Sequence, residues 1–294
     1  MNALPRITII TPSFNQAPFL TRTLQSIHAQ QYPNLQHIVL DANSTDGSRD
    51  ILEQHRAAIE HNDGKLIIEP DHGQTHAINK GLERATGEIV TWICSDDLLL
   101  PGALHRVAQH FLHHPEHTWI AGASRMIDPY DKPLDINRPC GHFTVAGVLL
   151  RSRTQPFNLP QPSVFWKRSL HDTLGLLDES LHYCMDFEFW LRLLHAGHKP
   201  HLLDEELAAY RLHDTSKTCA APHGFLKEHL RIEKHYGRTL TLPQRYRLWR
   251  RLGYQYRAWA IQHHGPATLK KLVAQRPWWL LSQQVRNAIT APAA

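Results

Sequence analysis

Short apolar runs alternate with helix-like segments along the first 125 residues. The runs are rich in β-branched and aromatic residues and are bounded by turn-forming residues, which is typical of buried strands. Between them apolar side chains recur at helical spacing, as for Phe19, Leu20, Leu24 and Ile27. This alternation predicts an α/β domain with a parallel sheet and helices on both faces. The predicted strands are Ile7–Thr11, Leu35–Leu40, Leu66–Glu69, Ile89–Cys94 and Thr118–Ala121.

The pattern changes after this alternating region. Residues 125–165 contain many Pro, Gly and other turn-forming residues, which indicates loops and an antiparallel edge. Residues 166–220 are expected to add helices and one strand to the same domain. From about residue 224 the pattern is helical, basic and rich in Trp. We therefore predict an α/β domain over residues 1–222 and a helical basic extension over residues 223–294.

Polar loops follow three of the predicted strands. Thr11 and Asn15 lie at the end of the first, Asp41 follows the second, and the adjacent Asp96 and Asp97 follow the fourth. Open α/β sheets bind ligands outside the carboxyl ends of their strands. Two carboxylates there can hold a hard divalent cation, which in turn binds a diphosphate. The alternative is an ordinary turn in which an Asp caps the next helix.

Motif content and composition exclude several classes of protein. The chain has neither a Gly-x-Gly-x-x-Gly loop nor a P-loop, which argues against a dinucleotide dehydrogenase and a P-loop kinase. Its four cysteines lie far apart with no Cys-x-x-Cys pair, so we expect reduced thiols in a cytosolic protein. A strand pattern begins almost at the N-terminus and no apolar run is long enough to span a bilayer. We expect neither a signal peptide nor a membrane helix.

A series of short motifs runs through residues 6–218 in a specific order. They read Ile-Thr-Pro-Ser-Phe-Asn, Asp-Ala-Asn-Ser-Thr-Asp-Gly, Glu-Pro-Asp-His-Gly-Gln-Thr-His-Ala-Ile-Asn-Lys-Gly, Ser-Asp-Asp, Met-Asp-Phe-Glu-Phe-Trp-Leu-Arg and Tyr-Arg-Leu-His. In this order and spacing the chain resembles family 2 glycosyltransferases of GT-A fold. The resemblance implies inverting transfer of a sugar from a nucleoside diphosphate sugar to an acceptor hydroxyl, with Mg²⁺ or Mn²⁺ as cofactor.

The resemblance also implies roles for individual residues. Asp97 would ligate the metal, and Asp96 would lie against the ribose or the donor sugar. His213 would close the site near the metal and the diphosphate. The remaining donor-binding residues would be Asp41 on the nucleotide base with Thr11 and Asn15 near it, and Asp71, Asn79 and Lys80 lining the donor pocket.

Asp186 draws attention without reference to any family. If residues 184–195 form a helix, Asp186 falls inside a wide apolar arc, whereas Glu188 and Arg192 share the opposite face as a solvated pair four residues apart. A carboxylate that faces a core is costly unless it has a partner or a task. The alternative is a buried N-cap. We predict that Asp186 is the catalytic base.

Two other functions remain open at this point. A sugar-phosphate nucleotidyltransferase could use a similar sheet, although such enzymes normally carry a glycine-rich basic loop after the first strand. A catalytically inactive nucleotide-sugar-binding protein of the same fold is the other alternative, and the presence of both Asp97 and Asp186 argues against it.

The charge distribution sets the C-terminal extension apart. After Glu233 the chain has no acidic residue and eleven basic ones. Five of the basic residues are arginines between positions 245 and 257, where they alternate with Tyr246, Trp249 and other apolar residues. The pair Trp278-Trp279 lies further along the chain. We expect this extension to anchor the protein to the anionic surface of the cytoplasmic face of a membrane. The expected acceptor is a saccharide or a lipid-linked saccharide. The alternative to the anchor is a helical appendage that packs on the catalytic domain, and no nucleic acid partner is expected.

The chain contains 23 histidines. Adjacent pairs such as His113-His114 and His263-His264 lack the helical spacing of metal ligands, so we expect no specific role for them.

Overall fold

A computed structural model describes residues 4–152, 154–217 and 222–254, apart from the side chains of residues 222 and 223. Within these residues the strands are β1 (Ile7–Ser13), β2 (Leu35–Asp41), β3 (Lys65–Ile68), β4 (Ile89–Trp92), β5 (Leu98–Leu99), β6 (Trp119–Ile127), β7 (Pro133–Asn137), β8 (Val164–Lys167) and β9 (His201–Arg211). The helices are α1 (Ala17–His28), α2 (Ser48–Ile59), α3 (Gln74–Arg84), α4 (Ala103–His113), α5 (Val145–Leu149), α6 (Leu170–Leu174), α7 (Met185–His195) and α8 (Pro222–Tyr236).

All of these strands belong to one mixed sheet. Their order is β3-β2-β1-β4-β8-β6-β9-β5, and β7 pairs with β6. Strands β1 to β4 are parallel to one another, as the sequence predicts. Strand β8 is antiparallel to both β4 and β6, so β6 runs in the same direction as β4. The α/β fold class predicted from the sequence is confirmed, with antiparallel pairs added in the second half.

The antiparallel edge predicted after residue 125 is formed by β6 and β7. Strand β6 continues to Ile127 and forms a hairpin with β7. The turn between them is held by Asp128, whose Oδ1 accepts hydrogen bonds from the backbone N–H groups of Tyr130 and Lys132 at 2.8 and 2.9 Å. A side chain that satisfies turn N–H groups in this way makes a sharp reversal possible without regular backbone pairing.

Helices cover both faces of the sheet. On one face, Ile7 and Ile9 of β1 belong to a buried cluster that includes Ile27 of α1 and Leu104 of α4. On the other face, α3 approaches β1 so closely that a Cβ on Gly81 would lie 2.6 Å from Cγ2 of Ile10. The apolar stripes of the helices therefore bury both sides of the parallel strands, which accounts for their nearly continuous apolar sequences.

Four tryptophans form the core beneath α7. Trp92, Trp119, Trp166 and Trp190 are all at most 2% exposed. The indole of Trp190 on α7 is parallel to that of Trp92 on β4, with ring centroids 6.2 Å apart, and it stacks on Trp119 of β6 at 5.4 Å. Large buried aromatic surfaces dominate core energetics, so this stack fixes α7 against the sheet.

The chain divides into two compact units, residues 1–228 and 229–294, so the boundary lies inside α8, shortly after the predicted one. In the second unit Arg251 pairs with Glu233 at 2.6 Å, and Leu248 is buried. The predicted anchor residues Tyr256, Arg257, Trp259 and Trp278–Leu281 lie outside the described residues, as does the pair His263-His264. None of the helices in the described part of the chain has the length and apolar character needed to cross a membrane.

The tryptophan core yields a stability prediction. Replacing Trp190 by Ala should lower the free energy of unfolding by about 3–5 kcal/mol, because it removes a fully buried indole and leaves a cavity. Trp249→Ala is the matched control, since that indole is 46% exposed; its effect should stay within about 0.5 kcal/mol. Urea denaturation measures both, and equal destabilisation by the two variants would contradict the role of the stack.

Candidate active site

A cavity of about 810 Å³ lies at the carboxyl ends of the parallel strands. Part of its lining comes from the segments that follow β1, β2, β3 and β4, and another part comes from the start of α7. The lining includes four carboxylates, those of Asp71, Asp96, Asp97 and Asp186. The polar residues predicted at separate strand ends thus meet at a single edge of the sheet, where α/β folds bind ligands.

The adjacent acids Asp96 and Asp97 occupy the turn directly after β4. The backbone N–H of Asp97 donates to the carbonyl of Cys94 at 3.0 Å, which closes the turn. The short strand β5 follows at once, and the N-cap of α4 is Gly102. Neither acid caps the next helix, so the alternative of an ordinary capping turn does not hold.

Arg211 at the end of β9 holds the acid pair in place. Its side chain is fully buried. Its backbone N–H donates to Oδ1 of Asp97 at 3.0 Å, and its Nε donates to the carbonyl oxygen of Asp96 at 2.7 Å. The guanidinium also forms an ion pair with Asp131. A buried cation with several hydrogen-bond acceptors offsets part of the cost of burying a carboxylate.

The acid pair suits a hard divalent cation. Burial, followed by the charge of Asp96, raises the pKa of Asp97 well above its usual value. Cys94, Asp96 and Asp97 offer ligand atoms that all lie within 4.8 Å of one another. Burial also raises the pKa of the Cys94 thiol, which stays protonated, and Mg²⁺ and Mn²⁺ prefer oxygen ligands. The two carboxylates are therefore the groups that would hold such an ion.

His213 contacts Asp96 of the acid pair. Its Nε2 lies 2.9 Å from Oδ2 of Asp96, and its Nδ1 lies 2.9 Å from the hydroxyl of Thr215. The ring packs on Phe19 with centroids 4.5 Å apart and is only 7% exposed. His213 is not among the residues that line the cavity, and its contact with Asp96 places it next to the acid pair, so its expected place near the metal and the diphosphate stays a prediction.

Asp186 lines the cavity from the first turn of α7. The helix begins at Met185, with Cys184 as its N-cap residue, and Oδ1 of Asp186 accepts a hydrogen bond from the N–H of Phe187 at 2.7 Å. Burial, followed by the charge of Glu228, raises the pKa of Asp186 to about 6. A half-buried carboxylate with a pKa near neutrality has the property required of a general base.

Glu188 and Arg192 share one face of α7, as the sequence predicts. Glu188 and Arg192 pair at 2.8 Å. The pair is largely buried, with side chains 14% and 20% exposed, and not solvated as expected. Arg192 also donates to the carbonyl oxygens of Leu174 and Leu176, which explains the burial.

Glu228 organises the start of α7, and sequence reasoning missed it. Its carboxylate accepts three backbone hydrogen bonds, from His182 at 2.8 Å and from Tyr183 and Cys184 at 2.9 Å each. It therefore satisfies the N–H group of the N-cap residue Cys184 and those of the two residues before it. Glu228 is more than forty residues away in the sequence, so no local motif connects it with Asp186.

Lys217 is a second cavity residue that the sequence analysis did not identify. Its ammonium group donates to the carbonyl oxygen of His182 at 3.0 Å, and it lines the cavity together with Asp71 and Asp96. Burial lowers the pKa of this lysine, while nearby acids counteract the effect. Lys217 follows the Tyr-Arg-Leu-His motif by only a few residues, and this proximity was the one feature of the sequence that indicated a place near the site.

The expected base-binding residues form a hydrogen-bonded group at the ends of β1 and β2. Asp41 is 1% exposed and accepts hydrogen bonds from the N–H and hydroxyl of Ser44. Asn15 accepts from the N–H of Thr45 at 2.9 Å. Thr11 is fully buried, and its hydroxyl lies 3.0 Å from Nε2 of His37. None of Thr11, Asn15 and Asp41 lines the cavity itself, although Ser13 and Ala42 beside them do.

Three residues expected in the donor pocket have different surroundings. Asp71 lines the cavity and accepts a hydrogen bond from the N–H of Gly73 at 2.7 Å. Asn79 is 3% exposed, and its amide is hydrogen-bonded to both the N–H and the carbonyl of Leu177 and to Glu179. Lys80 pairs with Glu69. Asn79 and Lys80 lie outside the cavity lining, because α3 turns them toward neighbouring segments.

Comparison with known proteins agrees with this geometry. Residues 8–173 match the family described as Glycosyl transferase family 2. TuaG of Bacillus subtilis, named as a glycosyltransferase of teichuronic acid biosynthesis, is 28% identical over 73% of this chain and 82% of its own length. The Campylobacter jejuni GalNAc(5)-diNAcBac-PP-undecaprenol beta-1,3-glucosyltransferase is 32% identical over 36% of this chain and 34% of its own.

Solved structures share the fold. TarS of S. aureus in complex with UDP-GlcNAc superimposes with a TM-score of 0.64 at 17% identity, over 88% of this chain and 74% of that one. The mannosyltransferase PcManGT from Pyrobaculum calidifontis, in complex with GDP-Man and Mn²⁺, superimposes with a TM-score of 0.55 at 22% identity. This match covers 97% of this chain and 83% of that one. With a family match that spans more than half of the sequence, this chain belongs to glycosyl transferase family 2 and is a glycosyltransferase of GT-A fold.

Proposed function

We propose that this glycosyltransferase moves a sugar from a nucleoside diphosphate sugar to an acceptor hydroxyl with inversion at the anomeric carbon. In this proposal Asp97 holds Mg²⁺ or Mn²⁺ together with Asp96, for which the resemblance implied a contact with the ribose or the donor sugar, and Asp186 is the catalytic base. The observation that carries the proposal is that Asp186 lines the same cavity as the acid pair but comes from a different element, helix α7.

The acid pair supports metal binding on electrostatic grounds. Two adjacent carboxylates, one of them 2% exposed, repel each other strongly when both are ionised. A divalent cation held by these carboxylates would offset this cost and could also bind a diphosphate. When bound, such an ion offsets the charge that develops on the nucleoside diphosphate as it leaves. Lys217 adds a cationic group at the same cavity, suited to the diphosphate.

Asp186 accounts for the chemical step. Its carboxylate takes the proton of the acceptor hydroxyl while the hydroxyl oxygen forms a bond to the anomeric carbon and the bond to the diphosphate oxygen breaks. A single displacement inverts the configuration and needs no covalent intermediate. General base catalysis of this kind contributes about 10²–10⁴-fold in rate. The pKa of about 6 leaves Asp186 mostly ionised at neutral pH while keeping it basic enough to accept the proton.

Donor and acceptor classes are inferred from the relatives. TarS and PcManGT are described with UDP-GlcNAc and GDP-Man, and the Campylobacter enzyme is named for a saccharide linked through a diphosphate to undecaprenol. We assign this chain to cell-surface polysaccharide or glycolipid assembly, with a saccharide or lipid-linked saccharide as acceptor. The same acid pair and cavity would serve either nucleotide.

A lipid-linked acceptor favours membrane binding by the second unit. In its described part Tyr246 is 57% and Trp249 46% exposed, and the two rings stack with centroids 6.2 Å apart. Arg247 and Arg250 are exposed beside them. Exposed aromatic rings among arginines suit the interface of an anionic membrane. Arg251 is not part of this surface, because it pairs with Glu233.

Asp97→Asn should abolish turnover and weaken metal-dependent donor binding, because the metal and the diphosphate share that carboxylate. A panel of nucleotide sugars first identifies the donor by metal-dependent release of nucleoside diphosphate. Calorimetry with the matching nucleoside diphosphate and Mn²⁺ then measures binding. Asp204→Asn is the control, since that side chain is fully exposed. Wild-type activity of Asp97→Asn at limiting Mn²⁺ would show that Asp97 is not a ligand.

Asp186→Asn should leave donor affinity nearly intact and lower kcat by about 10²-fold or more, as expected for loss of a general base. Glu188→Gln is the matched control on the same helix; it should leave kcat nearly unchanged, although loss of the ion pair with Arg192 lowers the stability of the chain. In the wild type, kcat/KM should fall as pH drops below about 6, because Asp186 becomes protonated. In Glu228→Gln this fall in kcat/KM should occur at lower pH, because the charge of Glu228 raises the pKa of Asp186. A larger effect of Glu188→Gln than of Asp186→Asn would contradict the assignment.

For membrane binding, the double variant Arg247→Gln/Arg250→Gln should lower the partition of the full-length chain onto phosphatidylglycerol vesicles by about 30-fold, since each basic residue near the surface contributes about 1 kcal/mol. Lys65→Gln/Lys199→Gln removes the same charge from the first unit and should have little effect. Co-sedimentation at moderate salt measures both. Equal losses, or no vesicle binding by the wild type, would exclude the anchor.

A further inference from the structure

A cluster of histidines lies at the edge of the sheet opposite to the active site. The acid pair follows the carboxyl end of β4, whereas His117 lies just before β6 and His201 begins β9. Strand β6 runs in the direction of β4, and Ile120 near its start pairs with His201. The cluster is thus separated from the catalytic cavity by the length of the strands.

Local structure explains why these histidines meet. His110 lies in the last turn of α4, and His114 is the C-cap residue one turn later. The N–H of His117 donates to the carbonyl of His114 at 3.1 Å, so the chain folds back before entering β6. That turn brings His117 next to His110, and pairing of β9 with β6 adds His201 from a distant part of the sequence.

The nitrogen atoms are close enough to share one ion. His110, His117 and His201 offer ligand atoms that all lie within 4.8 Å of one another, and His110 Nε2 is 2.9 Å from Nδ1 of His117. The ring centroid of His201 lies 4.3 Å from the ring centroid of His117 and 4.8 Å from that of His110. His114 lies beside them, with its ring centroid 4.9 Å from that of His110. Zn²⁺ binds nitrogen at about 2.0–2.1 Å, so small side-chain rotations would bring three rings onto it.

A neighbouring carboxylate is placed to orient two of these histidines. Glu116 lies 3.5 Å from Nε2 of His117 and 3.4 Å from Nδ1 of His114. A carboxylate on the second nitrogen of a histidine is the usual partner that orients a metal ligand.

We propose that His110, His117 and His201, with His114 as the candidate fourth ligand, form a binding site for a divalent transition-metal ion of the class that prefers imidazole, with Zn²⁺ as the representative. The site differs in chemistry from the acid pair, because imidazole suits Zn²⁺, Ni²⁺ and Cu²⁺, whereas carboxylates suit Mg²⁺ and Mn²⁺. The bound ion joins the end of α4 to the start of β9. Its role is structural, since the cluster lies outside the catalytic cavity.

The sequence carried one signal of this site. Adjacent histidines such as His113-His114 do not share a helix face, which is why no role was expected for them. His110 and His114 are four residues apart and do share one. The contribution of His201, some ninety residues later, depends on strand pairing that the sequence alone does not reveal.

The test uses the untagged full-length chain, stripped with a chelator, and Zn²⁺ alone as the probe. Calorimetry should find one tight site that His117→Gln and His201→Gln each weaken by about 100-fold or more, since even the loss of an orienting partner costs 10–100-fold. His113→Gln is the matched control, because this exposed histidine lies on the same helix end but outside the cluster. Asp97→Asn should retain the tight site, which separates it from the acid pair.

Thermal unfolding provides a second measurement. Zn²⁺ should raise the Tm of the wild type, His113→Gln and Asp97→Asn, because an ion that binds only the folded chain stabilises it. The metal-free Tm of His201→Gln should stay near that of the wild type, since His201 is exposed, while its rise with Zn²⁺ should disappear. Equal Zn²⁺ affinity in the wild type and both cluster variants would overturn the proposal, as would loss of the tight site only in Asp97→Asn.

Discussion

Repulsion between two neighbouring carboxylates is the constraint on which this site depends. Asp96 and Asp97 share a tight turn after β4, and burial removes the water that would screen their charges. Arg211 offsets part of this cost. Its backbone N–H donates to the Asp97 carboxylate, and its guanidinium is held by the carbonyl oxygen of Asp96 and by an ion pair with Asp131. The remaining negative charge faces the cavity. Such a site favours a divalent cation, and in the proposed function this ion would in turn bind the diphosphate of the nucleotide sugar.

The position of the proposed base depends on different forces. Stacking of Trp190 on Trp92 and Trp119 fixes α7 to the sheet, and Glu228 fixes the backbone just before the helix. Both interactions determine where the first turn of α7, and with it Asp186, lies. The charge of Glu228 also raises the pKa of Asp186, so a single side chain both positions the proposed base and adjusts its basicity.

The sequence was sufficient where the signal is local. Buried parallel strands are apolar on both faces, so β1 to β4 were recognisable from short runs, and the acids that follow them had to meet at one edge. The helix carrying Asp186 was recognisable from its apolar arc, but the pair of Glu188 and Arg192 was expected in solvent and is largely buried. Periodicity gives the phase of a helix but not the segment that covers its outer face.

Contacts between distant parts of the chain were not predictable in this way. Arg211 is 114 residues from Asp97, and Glu228 is 44 residues from Cys184. Asn79 is held by Leu177, and His201 reaches the other cluster histidines only through strand pairing. The account rests most directly on the acid pair. Crystals grown with Mn²⁺ and a nucleoside diphosphate should show an anomalous Mn²⁺ peak bound to Asp97 and to diphosphate oxygens, with Asp186 facing the open side of the cavity. A nucleotide bound in the cavity with no Mn²⁺ on Asp97, or Mn²⁺ bound elsewhere, would contradict the account.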